Sequence, residues 1–251
     1  MNKPGPVSST RGDREILHGQ WLAGHETETM WGWGTPAGRL RAARRANLIM
    51  AGAELQPGKH VLEVGCGTGL FTEMFAATGA SIVAVDISPE LLDIAKRRPL
   101  PSERVSFIAK PFEECAVDGP FDAVIGSSVL HHLDLFRSLE KIQRLLNPGG
   151  ILSFAEPNYL NPQVFLERKL RFLPLFAYTS PDETAFVRWL LARTLRSLGF
   201  IDISITPFDW LHPAIPKNLI KATQRIGSII ERTPLLREFS GSVYIRARRP
   251  Q

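Results

Sequence analysis

Cysteine is scarce in this chain: Cys66 and Cys115 are the only two among 251 residues. Neither a disulfide framework nor a cysteine-rich zinc site can be built from them. Long hydrophobic runs are missing as well, since no apolar segment approaches the roughly 20 residues that cross a bilayer. The N-terminal stretch MNKPGPVSSTRGDRE lacks the apolar core of about 7–15 residues that a secretory signal carries. These absences set the expectation of a cytoplasmic protein in a reducing compartment, without a transmembrane segment. No cluster of histidines and acids at ligand spacing is present either, so no metal is expected. What remains is ordinary globular material, 44% hydrophobic and 22% charged, which excludes a disordered or collagen-like chain. At about 150 residues per domain, the length suits one elaborated domain, or one domain with a small companion.

The net charge of +5 is unevenly spread. Residues 1–60 carry +3, residues 61–160 carry −5 and residues 161–251 carry +7. An acidic middle between basic ends is a poor match for the uniform basicity of a nucleic-acid binder.

From residue 59 onward, β-rich runs alternate with helical patterns, the signature of βαβ units and a parallel sheet. The spacing predicts strands at His60–Val64, Ser81–Asp86, Arg104–Ile108, Asp122–Gly126 and Gly150–Ala155. Helices are predicted between them at Leu70–Thr78, Pro89–Arg98 and Leu135–Leu146. Upstream, residues 1–14 read as flexible, followed by a Trp- and Gly-rich stretch at 31–36 and a helix at Ala37–Leu55 with a basic face. Downstream come a helix at Glu183–Leu198 closed by Gly199, a strand at Phe200–Thr206, a loop at Pro207–Pro216 and a final strand at Ser242–Arg246. Between the last two, Lys217–Arg232 reads as a cationic amphipathic helix with Leu219, Thr223, Ile226 and Ile230 on its apolar face. The organisation expected is an N-terminal extension and cap helix at 1–55, then a domain at 56–251 with insertions at about 157–182 and 207–240.

The strongest signal is Val61-Leu62-Glu63-Val64-Gly65-Cys66-Gly67-Thr68-Gly69, an apolar strand running into a glycine loop that opens a helix. Glycine permits the tight turn and the close approach of backbone to a ligand. Twenty-one residues after Gly65, Asp86 ends the next apolar strand, where an acid can bind ribose hydroxyls. The loop reads G-x-G-x-G, with Leu70 where a nicotinamide site would place its last glycine, and this weakens the dinucleotide reading.

With these residues the sequence resembles the class I methyltransferases that use S-adenosyl-L-methionine. Val61–Gly69 is similar to their first motif, Val85–Ser88 to their second, Phe121–Leu133 to the strand-four motif, and Asn147–Gly150 to the turn into strand five. The resemblance implies an α/β, Rossmann-like doubly wound sheet of seven mostly parallel strands, with helices on both faces, an N-terminal helical cap and a C-terminal helical insertion. It also implies S-adenosyl-L-methionine as cofactor, with the first-motif residues Glu63, Gly65, Cys66, Gly67 and Gly69 at its site. Gly65, Cys66 and Gly67 would line the methionine portion, Asp86 would hold the ribose, and Ile87 would pack on adenine. Phe112 would offer a backbone N–H to the ring, and Ser127 would face the methionine end. One departure stands out: Lys110-Pro111-Phe112 replaces the usual Gly-Asp-Ala, so the acceptor for the adenine amino group comes from Glu113, from elsewhere, or is absent.

For the chemistry, His131 and His132 follow strand four, where open α/β sheets bind ligands, and a base titrating near neutrality suits a hydroxyl acceptor. Glu156, after strand five, faces the same region. Trp31, Trp33 and Tyr159 are candidates for closing over the site. The adjacent histidines are expected to point apart. The Phe- and Leu-rich segment 161–180 with Arg168, Lys169 and Arg171, together with the helix at 217–232, suits a small hydrophobic or anionic acceptor, lipid-like included, or peripheral contact with an anionic membrane. Methylation of a small molecule is the leading reading. RNA methylation and a non-catalytic S-adenosylmethionine-binding regulatory module are the alternatives.

Overall fold

The structure, a computed structural model, describes residues 11–170 and 185–251. The expected strands form β1 (His60–Val64), β2 (Ser81–Asp86), β3 (Val105–Ala109), β4 (Phe121–Ser127), β5 (Leu146–Pro157), β6 (Ile201–Phe208) and β7 (Ser242–Arg248). They join in one seven-stranded sheet, ordered β3-β2-β1-β4-β5-β7-β6. All pairings are parallel except those of β7, which is antiparallel to β5 and β6. The helices among the described residues are α1 (Arg11–Ala23), α2 (Thr27–Met30), α3 (Pro36–Gly52), α4 (Leu70–Ala76), α5 (Pro89–Ala95), α6 (Leu135–Leu145), α7 (Pro162–Lys169), α8 (Arg188–Ser197) and α9 (Ile220–Arg232).

Two apolar cores sit on opposite faces of the sheet. On one, Ala42, Ala46 and Ile49 of α3, Phe71 and Phe75 of α4 and Leu92 of α5 pack with Val61 and Ile82. On the other, Leu139 and Ile142 of α6 and Leu191 and Leu195 of α8 pack with Leu62 and Val64. Side chains alternate across a strand, so Glu63 falls on the same side as Val61, beneath α4. Local signals start the helices: Thr35 caps α3, Ser88 caps α5 and Asp134 caps α6, each side chain accepting a backbone N–H of the first turn.

Three segments differ from expectation. Helix α1 begins at Arg11, inside the stretch read as flexible; it buries little beyond Gly19 and Leu22, and its support is tertiary, through its packing on α5. The helix expected from Glu183 begins at Arg188, because Phe186 is held in a β-bridge to Asn158 and Val187 is extended. Residues 171–184, including Arg171 and much of the expected insertion at 157–182, lie outside the described residues. The third difference is the facing of α9. Ile220 and Gly227 turn inward, Gly227 meeting Trp210, whereas Leu219 and Ile226 of the expected apolar face are exposed. A glycine on the inner face lets the helix approach closely there. No helix among the described residues is long and apolar enough to cross a membrane.

Candidate active site

The strand order reverses between β1 and β4, and in open α/β sheets this switch point is where a ligand crevice opens. A cleft of about 770 Å³ lies there. The loop after β1 forms its floor. Gly65 has φ +68°, and a Cβ on it would stand 2.2 Å from Val129 of the loop after β4, so no side chain fits. Gly69, at φ +75°, caps α4, and a Cβ there would meet Ala95.

Asp86 fixes this loop from β2. Its Oδ2 accepts the Gly67 N–H at 2.7 Å and its Oδ1 accepts the Ser88 N–H at 2.9 Å. Burial pushes its carboxyl upward, opposed by those N–H donors. A second clamp comes from Arg98, after α5. Its Nε donates to the Thr68 carbonyl at 2.7 Å, and its remaining nitrogens pair with Glu73 of α4 and Glu28 of α2.

Of the residues singled out from sequence, Gly65, Cys66, Gly67, Asp86, Ile87, Phe112, Ser127, His131 and His132 line the cleft. Glu63, Gly69 and Glu156 stand behind its wall. Burial pushes the Glu63 carboxyl up to about 8, eased by neighbouring Thr72 and reinforced by Asp86, so it is largely neutral at pH 7. Burial likewise pushes the Cys66 thiol well up, with Asp86 and Glu63 adding to the effect. Glu113 lines the cleft, but its Oε1 accepts the Asp134 N–H at 3.0 Å and the Ser138 hydroxyl at 3.3 Å. Trp31 and Trp33 line the cleft as well, whereas Tyr159 stacks edge-on against Phe165 outside it.

The two histidines share a single 3₁₀ turn, Leu130–His132. Instead of pointing apart, their ring centroids lie 4.2 Å from one another, with the ring planes tilted by 41°. His131 Nδ1 lies 2.7 Å from Glu156 Oε2, while Glu156 Oε1 accepts the N–H groups of Val129 at 3.0 Å and Leu130 at 2.9 Å. Burial pushes the Glu156 carboxyl up to about 7 against the pull of those two N–H groups. His132 Nδ1 lies 3.1 Å from Glu15 of α1. The His132 side chain is 24% exposed and that of His131 5%.

Two contributors escaped the sequence reading. One is α1, which sets Glu15, Ile16 and Gly19 along the cleft. A Cβ on Gly19 would stand 2.7 Å from Ser88, and Gln20 reaches Glu90 at 3.0 Å. The other is Arg45 of α3, fully buried, which donates to Ser128 Oγ at 2.9 Å, to the Ala155 carbonyl at 3.0 Å, and to Ser242 Oγ. Burial, with Arg41 nearby, pulls its guanidinium down to about 10, which leaves it charged at neutral pH. Its role is to secure the turn after β4, where Ser128 adopts φ +57°. The basic stripe on the α3 helix was legible; which of its arginines turns inward was not.

A glycine-floored crevice at the switch point, with an acid closing the second strand, defines a nucleoside-binding site of the methyltransferase kind. Residues 62–154 match the methyltransferase domain family. The ubiquinone biosynthesis O-methyltransferase of Coxiella burnetii is 31% identical over 193 residues, 70% of this chain and 81% of the relative. The protein of that name from Xanthomonas campestris is 35% identical over 133 residues, and the match spans 51% of this chain but only 56% of that relative's length. Among solved structures, the phosphoethanolamine N-methyltransferase 2 of Haemonchus contortus, in complex with phosphomonomethylethanolamine and S-adenosylhomocysteine, shares the fold at TM-score 0.68 and 17% identity. That likeness covers 100% of this chain and 62% of the other. The chain belongs to the class I S-adenosylmethionine-dependent methyltransferases.

Proposed function

We propose that the protein transfers a methyl group from S-adenosyl-L-methionine to a hydroxyl of a small, largely apolar acceptor. The observation that carries this reading is His132, set on the cleft wall beyond the carboxyl end of β4 with the Glu15 carboxylate at its Nδ1. The names of the Coxiella and Xanthomonas relatives, both O-methyltransferases, agree with a hydroxyl acceptor.

The residues fit the cofactor. Gly65 and Gly67 leave room where side chains would clash, and Asp86 retains lone pairs for ribose hydroxyls beyond the two N–H groups it accepts. Ile87 and Phe112 offer apolar surface for adenine, and Ser127 stands at the methionine end. The cofactor, when bound, supplies a methyl group made electrophilic by the sulfonium. Because Glu63 is largely neutral, the negative field on the loop comes from Asp86.

The chain's own tasks are positioning, exclusion of water and movement of one proton. Trp31 and Trp33 supply an apolar wall beside the loop. As the acceptor oxygen forms its bond to carbon, its proton passes to His132, and Glu15 stabilises the imidazolium that results. The more buried His131 is a positioning residue: through Glu156 it fixes the 3₁₀ turn that carries both rings.

The test uses isotopically methyl-labelled S-adenosylmethionine with alkyl phenols of graded chain length. A methyl ether is the expected product, its yield rising with chain length. His132→Ala is expected to lower kcat by about 10²–10⁴-fold, the span for a lost general base, with cofactor affinity retained. No methyl ether from any of the phenols, or an undiminished rate in His132→Ala, would refute the reading.

A further inference from the structure

We propose that the outward face of α9, with the turn that follows it, is a docking surface for an anionic lipid bilayer. The inward side of α9 carries Ile220, Gly227 and also Glu231, which turns back to pair with Arg44 and to accept the Asp209 N–H. Glu231 is the only acid between Lys217 and Arg237. With it turned inward, the outward side holds Ile226 and Ile229, 58% and 64% exposed, alongside Lys221, Arg225 and Arg232. Residues 221, 225 and 229 follow at four-residue spacing and 232 three later, so the cations and Ile229 stack along one strip of the helix.

No carboxylate among the described residues pairs with Lys221, Arg225 or Arg232 within ion-pair distance. Directly after the helix, Leu235, Leu236 and Phe239 also stand exposed, Leu235 at 79%. Apolar side chains interleaved with unpaired cations on one helical face are what an acidic lipid surface receives: the aliphatic groups enter the headgroup boundary while the cations meet lipid phosphates. Charge also argues against a second copy as occupant, because two such faces would bring like charges together.

The surface continues toward the cleft. Asn161, which caps α7, donates to the Phe239 carbonyl at 2.9 Å. Helix α7 then places Glu167 and Arg168 on the cleft lining and leaves Phe165 and Leu166 exposed. Docking would therefore bring the cleft beside lipid, although the docking itself does not depend on which acceptor is methylated.

The experiment is co-sedimentation of the full chain with vesicles of phosphatidylcholine alone and of phosphatidylcholine mixed with phosphatidylglycerol. Partition into the mixed vesicles at low salt, lost at high salt, is expected. The triple variant Lys221→Gln, Arg225→Gln, Arg232→Gln is expected to lower the partition coefficient roughly 100-fold, at about fivefold per cation. The double variant Ile226→Glu, Ile229→Glu should abolish partition while calorimetric binding of S-adenosylmethionine stays at the wild-type value, which shows that both variants fold. Equal binding to neutral vesicles, wild-type partition by either variant, or no partition by the wild type overturns the proposal. So does a solution dimer that the double variant converts to monomer, since that would make the face a subunit interface.

Discussion

Replacing Glu63 by glutamine isolates a single proton whose energetics follow from burial. Glu63 lies beneath α4 at 1% exposure, and its carboxyl is pushed up to about 8 from an ordinary 4.5. The folded protein therefore holds this proton more tightly than the unfolded chain does. Such a group contributes stability at low pH and loses it as pH rises from about 4.5 through about 8. With those two values, linkage gives a loss of about 2–3 kcal/mol between pH 5 and 7 and a further ~1 kcal/mol between pH 7 and 9. Glutamine cannot titrate, so Glu63→Gln lacks this slope. It does bring an amide N–H₂ into an apolar site, at a pH-independent cost of about 1–3 kcal/mol. The assay is urea unfolding of both proteins at the three pH values, read as the difference between them. Subtraction largely removes titrating groups that do not interact with Glu63, Glu156 among them. The variant should gain on the wild type by about 4 kcal/mol in all across that range. A difference that stays flat with pH would refute the reasoning and show that Glu63 is ionised in the native state.

The glycine loop and its supports yield three more outcomes. Gly65→Ala forces a Cβ to within 2.2 Å of Val129 at a positive φ, and is expected to cost about 2–4 kcal/mol from strain and overpacking; a thermal midpoint unchanged from wild type would contradict it. Asp86→Asn turns one of two N–H acceptors into a donor facing an N–H, so calorimetry should show S-adenosylmethionine affinity reduced by about tenfold or more, at ~1.4 kcal/mol per tenfold; undiminished affinity would remove Asp86 from the site. Arg45→Met leaves the Ser128 and Ser242 hydroxyls without their Arg45 donor and strips the Ala155 carbonyl of one of its donors, the Ser128 N–H remaining, and should cost about 2–4 kcal/mol in denaturant titration, a value near zero being the contrary result.

Much of the scaffold was legible because its signals are local. The strand, glycine loop and next strand at 60–86 carry period, turn chemistry and terminal acid within one βαβ unit, and each fell where expected. The caps Ser88 and Asp134 likewise act within their own turns. What escaped depends on groups far apart in the chain. Helix α1 has a polar sequence and is held by its fit against Ser88, some 70 residues away in sequence. Arg45 looks like any member of the basic stripe on α3 until β5 and β7 close around it. Which side of α9 turns inward was not legible, because Gly227, which meets Trp210 there, carries no apolar signal. The approach of the two histidine rings is another case: each ring is anchored by a carboxylate distant in sequence, His131 by Glu156 and His132 by Glu15, which the residues themselves do not announce.

Arg98 gives the cap and the cofactor loop a shared fate. One guanidinium joins Glu28, Thr68 and Glu73, so the segment preceding β1, the turn after α5 and the loop are held by a single shared anchor. Ordering of this kind, completed during folding, is subtracted from the entropy a ligand would otherwise lose on arrival. A substitution that loosens α2 then appears in titrations as weaker binding of the methyl donor, even though every atom that touches the donor is unchanged.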